Sequence, residues 1–219
     1  MPKIKICGIT NERDAQFAAS IGADAIGFVI ETPTNSPRNI SREQAGIIRE
    51  NLPLFTPTVG VIMPRTIEEA LTLQIESGVQ FLQIHGNFTS IEIRVLKSRK
   101  NIQVIKSVGI GKGTDFSTLF SEIEKLIENG VDAILLDTNG KHGSGGTGKT
   151  HNWSLSAEIR NSFDIPIILA GGLNPENVSR AIDCVNPFAI DVSSGIEAKP
   201  GLKDHNKLRK FIQNVREIS

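Results

Sequence analysis

The chain has 219 residues and equal numbers of basic and acidic side chains, 24 of each. That length suits one domain with a sizeable core, and the charge balance excludes a global field favouring nucleic acid or an anionic membrane. No apolar run approaches the ~20 residues of a membrane span, the start goes into a strand pattern without a signal-peptide stretch, and Cys7 and Cys184 make no disulfide framework, so a cytoplasmic compartment is expected.

The predicted elements alternate along the chain. Lys3–Cys7 reads as a strand, then Asn11 caps a helix that runs to Ser20 and ends at Gly22. Gly22–Phe28 carries the second strand, and Ser41 with Gln44 forms a capping box for the second helix. Thr58–Ile62 is the third strand, followed by a helix from Thr66 with Glu69 that ends near Gly78. The remaining strands are Gly78–Ile84, Ile102–Lys106, Ala133–Asp137, Ile165–Leu169 and Val185–Ile190. Later helices start near Ser90, Ser117, Ser154 (with Asn152 as the other cap choice), Pro175 and Leu202.

Four of these segments are alike: Gly22-Ala-Asp-Ala-Ile-Gly-Phe28, Gly78-Val-Gln-Phe-Leu-Gln-Ile84, Gly130-Val-Asp-Ala-Ile-Leu-Leu136 and, more loosely, Val185-Asn-Pro-Phe-Ala-Ile190. Their spacing implies a unit of roughly 27 residues, enough for one strand and one helix. Eight such units consume the chain. The apolar strands lack polar alternation, as buried parallel strands do. The fold expected is α/β, a single (β/α)8 barrel domain over residues 1–219.

In such a barrel the chemistry sits at the C-terminal strand ends. Those ends are Cys7, Glu31, Met63, His85, Lys106-Ser107, Asp137, Gly171-Gly172 and Asp191-Val-Ser-Ser-Gly195. Glycine-rich loops after strands seven and eight bind phosphate through backbone N–H groups, which points to a phosphorylated small-molecule substrate. A lone cysteine such as Cys7 is commonly a small buried residue. Lys5, two residues back on the same face, is a cation that would favour the thiolate. Asp137 either caps its own loop or pairs with Cys7 as acid and base across the barrel mouth. His85 reads as a ligand, a base or a hydrogen-bonded barrel histidine, and Arg38 either holds a carboxylate or faces solvent. His142, His151 and His205 show no metal spacing, and Cys184, on the seventh helix, reads as structural.

Gly143-Ser-Gly-Gly-Thr-Gly-Lys-Thr150 matches the Walker A string letter by letter. A phosphate-binding P-loop follows its strand directly and opens a helix, whereas here the strand ends six residues before Gly143 and the next helix is capped at Asn152 or Ser154. A nucleotide-binding protein is therefore the rival from a different class, and a non-catalytic barrel the bland one.

Taken together the motifs resemble phosphoribosylanthranilate isomerase, over almost the whole chain. The resemblance rests on Lys5-Ile-Cys-Gly-Ile-Thr10, Ser36-Pro-Arg38, Gln83-Ile-His-Gly86, Asp137, Gly145-Gly-Thr-Gly148 with Trp153, Leu169-Ala-Gly-Gly-Leu-Asn-Pro-Glu-Asn-Val178, Asp191-Val-Ser-Ser-Gly-Ile-Glu197 and Pro200-Gly-Leu-Lys-Asp204. The chain departs from the family at Glu31-Thr32, where an aromatic is frequent, and at His151-Asn152, where Phe-Asp precedes the tryptophan. The resemblance implies an Amadori rearrangement in tryptophan biosynthesis. Asp137 would protonate the sugar ring oxygen, and Cys7 would take the C2 proton. Arg38 would hold the anthranilate carboxylate, with His85 and Asp191 also on the substrate. Gly171, Gly172, Ser193, Ser194 and Gly195 would line the phosphate. No metal or cofactor is implied, and the chain is expected as a monomer or homodimer. An acid near neutrality requires a raised aspartate pKa, and a thiol base a lowered one. A sister isomerase of histidine biosynthesis, which uses paired aspartates, is the alternative within the same chemistry.

Overall fold

A computed structural model of the chain describes residues 1–138 and 150–218. Eight parallel strands close a barrel: β1 (Lys3–Ile6), β2 (Ala25–Ile30), β4 (Thr58–Ile62), β5 (Phe81–Ile84), β6 (Gln103–Ile110), β7 (Ala133–Thr138), β8 (Ile167–Leu169) and β9 (Ala189–Val192). Each hydrogen-bonds to the next in sequence around the barrel, and β1 pairs with both β9 and β2, which closes the ring. A two-residue strand, β3 (Asn39–Ile40), adds to β2 at the barrel's edge.

Period two divides every barrel strand into an outward and an inward face. The outward residues, among them Ile4, Ile6, Phe28, Leu82, Ile134 and Ile190, are buried under the helices. The inward ones form a smaller apolar plug of Val59, Ile105, Ala133, Leu135, Ile168 and Ala189. Above that plug the inward positions become polar: Lys5, Gln83, Asp137 and Asp191. The site stands on this polar layer.

The helices are α1 (Glu12–Ser20), α2 (Arg42–Glu50), α3 (Ile67–Ser77), α4 (Ser90–Arg99), α5 (Phe116–Glu128), α6 (Trp153–Ser162), α7 (Val178–Val185) and α8 (His205–Arg216). Asn11, Ser41 and Thr66 cap as their spacing predicts, each accepting from the backbone three residues on. The reciprocal half of the box is missing at α2 and α3; Glu69 accepts from the Arg65 N–H instead. The full box belongs to α4, where Thr89 and Glu92 bond each other's backbone.

Three boundaries differ from the sequence-based expectation. β6 continues to Ile110, so Lys106 is mid-strand rather than at a strand end. It faces outward, with its Nζ donating to the Gly86 carbonyl at 2.7 Å. α7 starts at Val178, because Asn174 and Asn177 fold residues 174–177 into a side-chain-bonded turn. α8 starts at His205, because Leu202-Lys203 pairs with Glu197–Lys199 in an antiparallel hairpin, β10 and β11, around Pro200-Gly201. Cys184 lies on α7 but is exposed, so it is not a core residue.

Candidate active site

Cys7 follows β1 directly, and its N–H donates to the Val192 carbonyl at 2.9 Å, fixing it to the end of β9. Its side chain is nearly enclosed, at 7% exposure. Asp137 stands at the end of β7, across the same opening, and its Oδ1 accepts from the Thr138 N–H at 2.7 Å. Both line a cleft of about 470 Å³ at the C-terminal end of the barrel, together with Arg38, His85, Asp191 and Ser193. A larger, more open groove of about 690 Å³ runs outside the barrel between the β5–α4 loop and α5. It contains none of the inward strand-end residues, so the smaller cleft is the candidate site.

Burial pushes the Asp137 carboxyl up to about 6, and the nearby Asp191 charge adds to the effect against the Thr138 hydrogen bond. That is the direction an acid requires. The Cys7 thiol is also pushed up, first by burial and then by the Asp191 charge, against the pull of Lys5. The expectation of a depressed thiol pKa is thus corrected. Lys5 does lie on the same face, but its ammonium is paired with Asp191 Oδ1 at 3.0 Å in the barrel interior. Burial works against the Lys5 charge, yet Asp191 and Cys7 together hold its pKa above the usual lysine range. The unliganded site therefore favours thiol plus carboxylate.

His85 lines the cleft beside Gln83, with their Nε2 atoms 2.8 Å apart. Burial and the charges of Lys5 and Lys106 push it down to about 3, so it is neutral and a poor base near pH 7. Gln83 Oε1 is buried without a hydrogen-bond partner among the described residues.

Arg38 neither faces solvent nor waits unpaired. Its Nε and Nη2 donate to the two oxygens of Glu197 at 2.8 and 2.6 Å, a bidentate fork. Lys203 Nζ donates to Glu197 Oε1 at 3.0 Å, to the Cys7 carbonyl at 2.7 Å and to the Ser193 carbonyl at 3.2 Å. Burial opposes the Glu197 charge, but Arg38 and Lys203 keep the carboxylate below its usual range. One hairpin thus ties the ends of β1 and β9 to the loop after β2. In the sequence Glu197 and Lys203 stand inside the Asp191–Glu197 and Pro200–Asp204 motifs without a role of their own, and the Pro200-Gly201 turn is the local signal for their hairpin.

The two expected phosphate loops meet. Gly171 and Gly172 have φ of +85° and +68° and line the cleft with Ser193 and Ser194. A Cβ on Gly171 would stand 2.3 Å from Thr138 Oγ1 and 2.8 Å from Asp137 Oδ1, so only glycine admits the acid this close. Gly195 sits one layer back, where a Cβ would meet the Leu173 carbonyl at 1.9 Å; it holds the two loops together. The Ser193 Oγ is buried without a hydrogen-bond partner among the described residues.

At the two family departures, Glu31 pairs with Arg42, and His151 bridges Thr138 Oγ1 and Ser156 Oγ at 3.0 and 2.7 Å. Asn152 caps α6. The Gly143–Lys149 part of the Walker-like string, the Gly145–Gly148 loop and His142 lie outside the described residues. Among the described residues no three His, Cys, Asp or Glu side chains gather as a metal site.

Comparison with known proteins agrees across the full chain. The family profile described as N-(5'phosphoribosyl)anthranilate (PRA) isomerase matches residues 4–214. An N-(5'-phosphoribosyl)anthranilate isomerase of Thermotoga neapolitana is 44% identical, with 100% of each sequence covered. A crystal structure of phosphoribosyl anthranilate isomerase from Thermotoga maritima shares 41% identity and superimposes with a TM-score of 0.84, covering 99% of each chain. Another structure of such an isomerase, in complex with reduced 1-(o-carboxyphenylamino)-1-deoxyribulose 5-phosphate, is 39% identical at a TM-score of 0.81 over 99% of each chain.

Proposed function

This chain belongs to the phosphoribosylanthranilate isomerase family, and we propose that in it Asp137 is the general acid and Cys7 the general base. The enzyme is an aldose–ketose isomerase of tryptophan biosynthesis. It converts N-(5-phosphoribosyl)anthranilate into 1-(2-carboxyphenylamino)-1-deoxyribulose 5-phosphate by an Amadori rearrangement.

The chemistry assigns one proton transfer to each residue. The Asp137 carboxyl gives its proton to the furanose ring oxygen as the C1–O bond breaks and the amine lone pair forms a Schiff base. The Cys7 thiolate then removes the C2 proton, and the electrons of that bond make the enolamine. Tautomerisation gives the ketone, with a proton restored at C1. Atoms are conserved throughout, as an isomerisation requires. The observation that carries the assignment is the placement of a raised-pKa carboxyl and a thiol in one enclosed cleft, beside two loops of open backbone.

Arg38 would take the substrate carboxylate through Nη1, which makes no hydrogen bond to a described residue while Glu197 occupies Nε and Nη2. The backbone of Gly171, Gly172, Ser193 and Ser194 would hold the phosphate, with Gly195 supporting it. His85 offers a neutral hydrogen-bonding edge. Asp191 would meet sugar hydroxyls from below.

The test is turnover of phosphoribosylanthranilate generated in situ, followed by loss of anthranilate fluorescence. Cys7→Ser and Asp137→Asn are each expected to lower kcat at least ~100-fold with the fold retained. Near-normal turnover in either variant removes that residue from its role.

A further inference from the structure

The acid–base pair described above needs Cys7 as a thiolate, while its surroundings hold it as a thiol. We propose that Lys5 is a positioning residue for Cys7, its ammonium serving as the counter-charge that steadies the thiolate from the space left open by Gly27. This rests on the reading of Cys7 as the base.

Gly27 lies within β2 and is not among the positive-φ glycines, so its backbone does not demand glycine. Space does. A Cβ there would stand 3.0 Å from Cys7 Sγ, 3.0 Å from Lys5 Cε and 3.1 Å from Lys5 Nζ. The sulfur and the ammonium therefore occupy one gap in the barrel interior, side by side.

The charged groups facing Cys7 come from four other strands as well as its own. They are Lys5 on β1, Asp191 on β9, Asp137 on β7, neutral His85 following β5, and Lys203 on β11, with Arg38 packed over Gly8. Lys203 has all three N–H groups engaged, on Cys7 O, Ser193 O and Glu197 Oε1. Arg38 is forked onto Glu197. Lys5 makes one hydrogen bond to a described residue, to Asp191 Oδ1, and is 4% exposed. Arg38 Nη1 is assigned above to the substrate carboxylate, so among the described residues Lys5 has N–H groups left to direct at the sulfur. An ion pair buried this deeply is weak support for stability by itself, and a pair of apolar residues would serve packing as well. Asp191 keeps Lys5 charged in the interior, and the charge then supports the sulfur.

The experiment uses the full chain with Cys184→Ser, which removes the exposed second thiol, and measures the rate of Cys7 alkylation by iodoacetamide from pH 6 to 10. A pKa displacement of one unit changes the thiolate fraction tenfold below the midpoint. Lys5→Met is expected to slow alkylation at pH 7.5 at least about tenfold and to move the midpoint upward; Lys5→Arg is expected to recover most of the rate. In turnover, Lys5→Met should lower kcat at least about tenfold and leave KM within about threefold. An unchanged midpoint in folded Lys5→Met overturns the proposal. If that variant does not fold, Lys5→Gln, which keeps a polar side chain but no charge, decides: an unchanged midpoint in it overturns the proposal equally. Alkylation reads the sulfur itself. Retained turnover in Cys7→Ser would retire the base assignment without altering this order of midpoints, so the two failures are distinguishable.

Discussion

Burial holds Asp137 to a pKa of about 6, well above the ~3.9 of a free aspartate, and raises Cys7 at the same time. The form the proposed mechanism needs, carboxyl plus thiolate, has the same proton count as the favoured form, thiol plus carboxylate. The proposed mechanism uses both groups, so kcat/KM should be bell-shaped, with its acid limb near pH 6 and its alkaline limb above the ordinary thiol range. A pH–rate profile of Asp137→Asn that keeps the limb near 6 would assign that limb elsewhere. The same carboxyl destabilises the fold. Its folded pKa is raised, so its stabilising contribution is complete below ~3.9 and is lost as pH rises through about 6. Asp137→Asn, which does not titrate, should therefore be more stable than the parent at pH 8, by on the order of 2 kcal/mol, and equal to it near pH 4. Urea unfolding at the two pH values measures this. Cys7 and Asp137 were legible as strand-end residues because a run of apolar residues stops at each. The direction of the Cys7 shift was not, because it depends first on burial inside the closed barrel and then on Asp191, a residue 184 positions away that comes to rest beside Lys5.

Helix ends carried the clearest local signals, since a cap and its partner are separated by three residues and need no tertiary contact. Thr89 and Glu92 complete a reciprocal box at α4. Thr89→Ala should cost about 1 kcal/mol in urea unfolding. At the other end of an element, Asn186 closes α7 with φ of +47°, a left-handed backbone that a Cβ without a polar tip tolerates poorly. Asn186→Ala should cost about 1 kcal/mol, whereas Asn186→Gly should be neutral or stabilising. Equal losses in both would mean that the Asn side chain, rather than the backbone, sets the cap. Where local reasoning failed, a competing pairing was responsible. Leu202-Lys203 looked like the start of α8 but became β11, because Glu197 needed Lys203 within hydrogen-bond reach.

The closed barrel joins the two ends of the chain, and one carboxylate secures the seam. Asp24, just before β2, accepts from the Ile4 N–H at 2.9 Å and from Arg216 of α8 at 2.7 Å. Burial opposes its charge, but these hydrogen bonds hold its pKa below the usual aspartate range. A depressed carboxyl stabilises fully above its unfolded value and ceases to do so as pH falls through the folded one. Asp24→Asn should therefore lose about 1 kcal/mol at pH 7, with the difference closing below about pH 4. A constant difference across that range would make the loss steric rather than ionic.

The sequence by itself determined the alternation of eight strands and eight helices, the strand ends that bear Cys7 and Asp137, and the two glycine loops, because periodicity, caps and turns are written in neighbouring residues. Only the tertiary structure decided what each charged group does. Arg38 meets Glu197, Lys5 meets Asp191, and Gly27 is small so that Lys5 and Cys7 can share its space. Desolvation and Coulomb interaction depend on distance through the folded interior, and barrel closure brings together residues that are remote along the chain.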